Sequence, residues 1–262
     1  MASPTKPTIL LVHGAFHGPE CFDALISPLK AAGYTSIKND LKLPSAELNS
    51  STSLQQDIDI LRTTVLQILD GVDGATGSDC VVVMHSYSAV PAAEALRGLS
   101  RGERGDKTTA VLKMVYLTCN IPKVGDSHLS QMTKWMEEIG LSADPPVEAS
   151  DDGVMKFTGD AEVFYNGLPE DQQATLKASL STSSAATFTT PLKGSMAYEK
   201  IPGWYLISKK DNILPEAFQR VCISVVGDMM ENVEEVDAGH SSFLVKPEIV
   251  ADFIVRAVKS VS

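Results

Sequence analysis

A mostly parallel, doubly wound α/β sheet of about six strands is predicted by this 262-residue sequence, on three observations. Short runs of β-branched and leucine residues recur with little polar alternation, as strands buried on both faces require. Stretches of helical period separate them. The residues that stop these runs are small or reactive types, gathered where an open α/β sheet places its active site.

In chain order, Thr8–Val12 is the first run and stops at His13-Gly14, and residues 34–38 add a second. Residues 53–69 place Leu54, Ile58, Leu61, Val65 and Leu69 three and four apart, the single apolar stripe of a helix. Residues 79–84 form a third run, ending at His85-Ser86 and passing into a small-residue helix with Ser88, Ala89, Ala92, Ala93 and Ala95. Val111–Leu117, residues 204–208 and a weaker run at 233–236 follow. Pro247 opens a last helix at a first-turn position, with Ile249, Val250, Phe253, Ile254 and Ala257 on one face.

Residues 121–200 break this rhythm. They carry Pro145-Pro146, few β-branched runs and a Ser/Thr-rich stretch from 179 to 190. Between positions 137 and 171 there are ten acidic residues and one Lys, the composition of a solvated outer face. The segment is expected to be an inserted lid of short helices and loops within a single domain spanning residues 1–262.

Composition limits the function classes. Hydrophobic residues make up 44% and charged residues 21%, which provides a core and excludes wholesale disorder. Twenty-two Lys and Arg against 33 Asp and Glu give a net charge of −11, which repels phosphate backbones and anionic lipids. Neither nucleic acid nor a membrane is therefore an expected partner. No apolar run approaches the roughly 20 residues that span a bilayer. The N-terminus lacks the charged start and long apolar stretch of a secretory signal, so a cytoplasmic location is expected. Cys21, Cys80, Cys119 and Cys222 form no CxxC pair, and there is no HExxH, so no metal site is expected. The cysteines read as small buried residues of a reducing compartment. The oligomeric state stays open, a homodimer included.

The ends of the runs supply a Ser, an Asp and a His in that order. Ser86 would sit on a tight strand-to-helix turn as nucleophile, although Ser is also a favoured helix cap. His240, in Asp237-Ala-Gly-His240, is the expected base, within reach of the Ser86 hydroxyl. Asp211 would orient it, against the rival acid Asp237 and the neutral Asn120. The backbone N–H groups of Tyr87 and Ala15 are the expected oxyanion donors, with Gly14 letting its turn approach closely.

Together, the segment 11–18 (LVHGAFHG), the Ser86 turn, the segment 205–215 (YLISKKDNILP) with Gln219, and Asp237-Ala-Gly-His240 resemble the α/β-hydrolase superfamily. The resemblance is nearest to the branch of plant methyl esterases and hydroxynitrile lyases with their microbial relatives, and it covers nearly the whole chain. It implies an α/β-hydrolase fold, a Ser86–Asp211–His240 triad, an oxyanion hole at Ala15 and Tyr87, and no cofactor. Two departures matter. The usual Gly-x-Ser-x-Gly turn has Met84 and Ser88 at its glycine positions, so a small residue on a neighbouring element must relieve the crowding. The lyases of the branch have a Thr after the first His and a Lys after the catalytic His, where this chain has Gly14 and Ser241. Without that cation a departing cyanide has no partner, which favours an esterase.

The expected function is hydrolysis of a carboxylic ester or lactone of a small, largely neutral or apolar molecule through an acyl-enzyme. Phe16, His17, Trp135 and Phe164 are candidate pocket residues. The competing readings are a non-hydrolytic lyase, retro-aldol or cyclisation enzyme of secondary metabolism, and a ligand receptor with a vestigial triad.

Overall fold

The computed structural model describes residues 6–47, 51–72, 74–105, 107–141 and 146–261; the N-terminal residues 1–5 and Pro145, singled out above, lie outside them. Its strands, in chain order, are β1 (Thr8–Val12), β2 (Ile37–Lys38), β3 (Cys80–His85), β4 (Val111–Leu117), β5 (Val147–Ala149), β6 (Val154–Phe157), β7 (Ser183–Ser184), β8 (Gly203–Ser208) and β9 (Met230–Val236). Six of them form one sheet in the order β2-β1-β3-β4-β8-β9, every neighbouring pair parallel.

The apolar runs lack alternation because both faces of this sheet are covered. Successive side chains point to opposite faces. Leu10, Val12, Val82, Met84, Met114 and Tyr116 therefore join one core, with the helices Leu54–Asp70, Ala89–Ala95 and Glu216–Val226. Ile9, Leu11, Val81, Val83, Val115 and Leu117 join the other, under Asp23–Ala31 and Pro247–Lys259. The Leu54–Asp70 helix starts where Ser53 and Gln56 form a reciprocal cap, the Ser53 N–H donating to Gln56 Oε1 at 3.0 Å. From this helix Arg62 donates to the carbonyls of Ala95 and Arg97, satisfying the end of the neighbouring helix.

Two strands differ in length from the sequence expectation. The second shortens to Ile37–Lys38, because Gly33 turns the chain at φ 84° and Tyr34 packs into the core as coil. β9 extends back to Met230. It is an edge strand whose alternate residues, Glu231 and Glu235 among them, face solvent, which dilutes its apolar signature.

The chain runs from β1 to the edge strand β2 and then returns to the other side of β1 as β3. This reversal opens a crevice beyond the carboxyl ends of β1 and β3, the general location of ligand sites in such sheets. The turn His13-Gly14-Ala15 and the Ser86 turn both begin there. Between β4 and β8 lies the insertion, and it is not only helices and loops. It contains the helix His128–Glu138, an antiparallel sheet in the order β5-β6-β7, and the short helices Glu162–Tyr165, Glu170–Ala178 and Ala185–Thr189. The sheet escaped the sequence reading because β5 and β7 are three and two residues long and β7 is Ser183-Ser184.

Candidate active site

Parallel strands deliver the site residues to one edge of the sheet. Ser86 follows β3 directly and holds φ at 55°, a left-handed conformation that a side chain rarely adopts. The next residues wind into a single 3-10 turn, Ser86–Ser88, and then into the helix Ala89–Ala95. A Cβ on Gly14 would lie 3.1 Å from Ser86 Cβ and 3.0 Å from His85 Nδ1, so Gly14 is the small neighbour that lets the two loops close together. Ser88 has its own task. Its hydroxyl accepts the His85 N–H and donates to Val12 O, both at 2.9 Å, tying the turn to the end of β1. Glycine could make neither bond. Met84 is fully buried, and its carbonyl accepts the Cys119 thiol.

Asp211 and His240 meet. Asp211, after β8, bends its carboxylate into the local turn, so that Oδ1 accepts the N–H of Ile213 at 2.7 Å and of Leu214 at 2.9 Å. Oδ2 accepts His240 Nδ1–H at 2.7 Å and the Thr118 hydroxyl at 2.5 Å. Four donors satisfy a carboxylate that burial would otherwise penalise. The Nδ1–H tautomer this bond requires leaves the Nε2 lone pair free to take a proton. That nitrogen is buried without a hydrogen-bond partner. Asp237 is turned outward to pair with Lys210 at 2.9 Å, and Asn120 donates to the His128 carbonyl, so neither rival serves His240.

The residue before Ser86 packs against this pair. The His85 ring packs 4.7 Å from the His240 ring, and its Nε2–H donates to the His240 carbonyl at 3.1 Å. Among the described residues no hydrogen bond joins the Ser86 hydroxyl to His240 Nε2. Such contacts commonly tighten only when substrate is seated.

Tyr87 is fully buried, its phenol donating to the buried carboxylate of Asp57 at 2.8 Å. Asp57 also accepts the Ser45 N–H, and burial raises its carboxyl above the ordinary range. Tyr87 stands in the first turn after the strand, where N–H groups have no helical partner. Ala15 is buried in the loop after β1. That loop carries Phe16 at φ 64°, with His17 Nδ1 bonded to Ala15 O.

The insertion closes over these loops through main-chain bonds. The Ser181 N–H donates to Phe16 O at 2.8 Å, and the Ser241 N–H donates to Phe164 O at 3.2 Å. Tyr165 bonds His17 Nε2 at 2.9 Å, and Asn166 donates to Lys210 O. Aromatic rings line the contact. Phe164 stands 5.7 Å from the His240 ring and 6.3 Å from Phe16, and Phe188 stands 6.2 Å from Phe16 and stacks on Tyr87. Of the expected pocket residues, Phe16, His17 and Phe164 join this wall. Trp135 instead packs on Phe218, 5.2 Å away, with no described ring contact to it. Thr118, His128, Tyr165 and Phe188 are the participants that sequence reasoning missed. Thr118 alone carried a signal, standing first after a strand and two residues before Asn120.

All five histidines of the chain are buried. Desolvation pushes His13 and His17 down to about 4 and His128 to about 3, and it also lowers His85. Hydrogen bonds agree for His13: Leu43 donates its N–H to Nε2, which must therefore be unprotonated. The four cysteines are free and buried, and no described helix is long and apolar enough to cross a membrane.

A strained serine after a central strand, with an Asp–His pair from beyond the ends of β8 and β9, defines the class, and comparison agrees. The sequence matches the alpha/beta hydrolase family over residues 9–253, and the chain belongs to that family. A probable hydrolase of Phoma sp. is 30% identical over 260 residues, covering 96% of this chain and 98% of that protein. The pFDCC methylesterase of Arabidopsis thaliana is 24% identical over 260 residues, covering 95% and 93%. Among solved structures, polyneuridine aldehyde esterase superposes with a TM-score of 0.74 at 16% identity, covering 97% of this chain and 99% of that one. The chain is thus an alpha/beta hydrolase with esterase-type relatives, in the branch the sequence resembles.

Proposed function

We propose that the protein is a serine hydrolase that cleaves a carboxylic ester or lactone of a small, largely neutral molecule through an acyl-enzyme on Ser86. The observation that carries this reading is the buried Asp211–His240 bond of 2.7 Å beside a Ser86 held at φ 55°. A serine hydroxyl is a weak nucleophile and needs an adjacent base. His240 Nε2 takes the Ser86 proton as Oγ adds to the ester carbonyl, and Asp211 stabilises the imidazolium that forms. The Ala15 and Tyr87 N–H groups hold the developing oxyanion, each such donor contributing about 3–4 kcal/mol. His240 then protonates the departing alcohol, and water, deprotonated by the same ring, releases the acid. The absence of a cation at position 241 and of a hydroxyl at position 14 supports hydrolysis over cyanide chemistry. Relatives named as esterases support the bond type.

A fluorophosphonate probe followed by peptide mass analysis tests the reading. An adduct on Ser86, lost in Ser86→Ala, is expected. Folded protein that takes no adduct there overturns it.

A further inference from the structure

Four of the five histidines have hydrogen-bond work within the protein, and His128 has none. His13 is held by Gly14 and Leu43, His17 by Ala15 and Tyr165, His85 by the His240 carbonyl and His240 by Asp211. His128 Nδ1 is buried without a partner, and among the described residues no hydrogen bond is seen to its ring, which belongs to a residue only 8% exposed. A buried ring nitrogen left unsatisfied is costly, and it calls for a reason.

Its location supplies one. His128 opens the helix His128–Glu138, and its main chain is fixed by Asn120, which donates to its carbonyl at 2.8 Å. The ring lies edge-on to Phe188 at 4.6 Å and to Tyr87 at 5.8 Å. Tyr87 follows Ser86, which is half-buried among fully buried neighbours, so solvent reaches the nucleophile beside this wall. A T-shaped ring contact with Phe188 is a weak substitute for a hydrogen bond.

We propose that His128 reads the substrate, hydrogen-bonding an uncharged hydroxyl on the portion that lies against Tyr87 and Phe188. The inference rests on the hydrolase reading and adds a specificity-determining residue to it. A hydroxyl both donates and accepts, so it satisfies the ring in either tautomer. Burial keeps the ring neutral at pH 7, so it supplies no counter-charge for a carboxylate or phosphate. A site built to bond a hydroxyl discriminates strongly against the analogue lacking it, because its own polar group is then stranded.

The test is binding, independent of turnover. Ser86→Ala protein is titrated calorimetrically with methyl 2-naphthoate and with its 6- and 7-hydroxy derivatives. At least one hydroxy ester should bind tenfold or more tightly than the parent ester. His128→Phe in that background should abolish the preference, while His128→Gln, which keeps a donor and an acceptor, should retain part of it. Equal binding of the three esters, no binding of any, or a preference that survives His128→Phe overturns the proposal. Probe labelling of Ser86 in the unmutated protein reports on the hydrolase reading alone, so the two can fail separately.

Discussion

Replacing Thr118 separates what its hydroxyl does from what its backbone costs. The residue follows β4 with φ at 45°, an outlier for a β-branched side chain, and its fully buried hydroxyl donates to the Asp211 oxygen that also accepts His240. Thr118→Val keeps the branching and the strain but loses a hydrogen bond to a charged group, which contributes about 1.5–3 kcal/mol. At 1.36 kcal/mol per tenfold in rate, full loss of that contribution in the transition state lowers kcat about 10- to 150-fold. KM should change little, since Thr118 acts on Asp211. Thr118→Gly loses the same bond but releases roughly 1–3 kcal/mol of strain, offset by about 0.5–1 kcal/mol of glycine entropy. It should therefore be as slow as the valine variant and more stable. Steady-state hydrolysis of p-nitrophenyl acetate and urea midpoints measure both quantities. A kcat within twofold of the parent in both variants refutes the argument. So does full activity in the glycine variant alone, which would make strain the operative feature.

Three further outcomes follow from the same geometry. Ser86→Gly should raise stability by about 0–2.5 kcal/mol, read as a higher Tm, while abolishing probe labelling; a lower Tm contradicts strain at the turn. His13, His17 and His128 are neutral in the fold, with values near 4, 4 and 3 against about 6.5 when unfolded. The unfolded chain thus binds more protons, so the stability they support is whole above about pH 6.5 and lost as pH falls toward 4, on the order of 3 kcal/mol per ring. A urea midpoint equal at pH 7 and pH 4.5 rules this out. A Cβ on Gly239 would lie 1.6 Å from Asn166 Oδ1, so Gly239→Ala should cost about 1–3 kcal/mol, largely recovered on adding Asn166→Ala. Denaturation of the single and double variants checks it, and an unrecovered loss points to another clash.

The sheet was legible because burial on both faces writes itself into uninterrupted runs such as the one in β1, and the strand ends were legible because those runs stop sharply at His13 and Ser86. The lid was not. Its β7 is two serines whose pairing with Val154 and Met155 is tertiary, and no local periodicity encodes it. Within the candidate site, Ser86, Asp211 and His240 could be named because chain order distinguishes them. Thr118 could not be given a role from sequence, since its task depends on a carboxylate 93 positions away. Phe188 and His128 belong to the same category: both pack on Tyr87, in the turn after β3, far away in sequence.

The ties between Ser181 and Phe16 and between Ser241 and Phe164 run from amide to carbonyl. Such bonds are blind to what side chain each residue bears. Substitutions on the inner surface of the insertion can therefore retune which molecules are accepted while the alignment of the reacting groups persists. Diversification of this scaffold needs no rebuilding of these ties, only a change of lining.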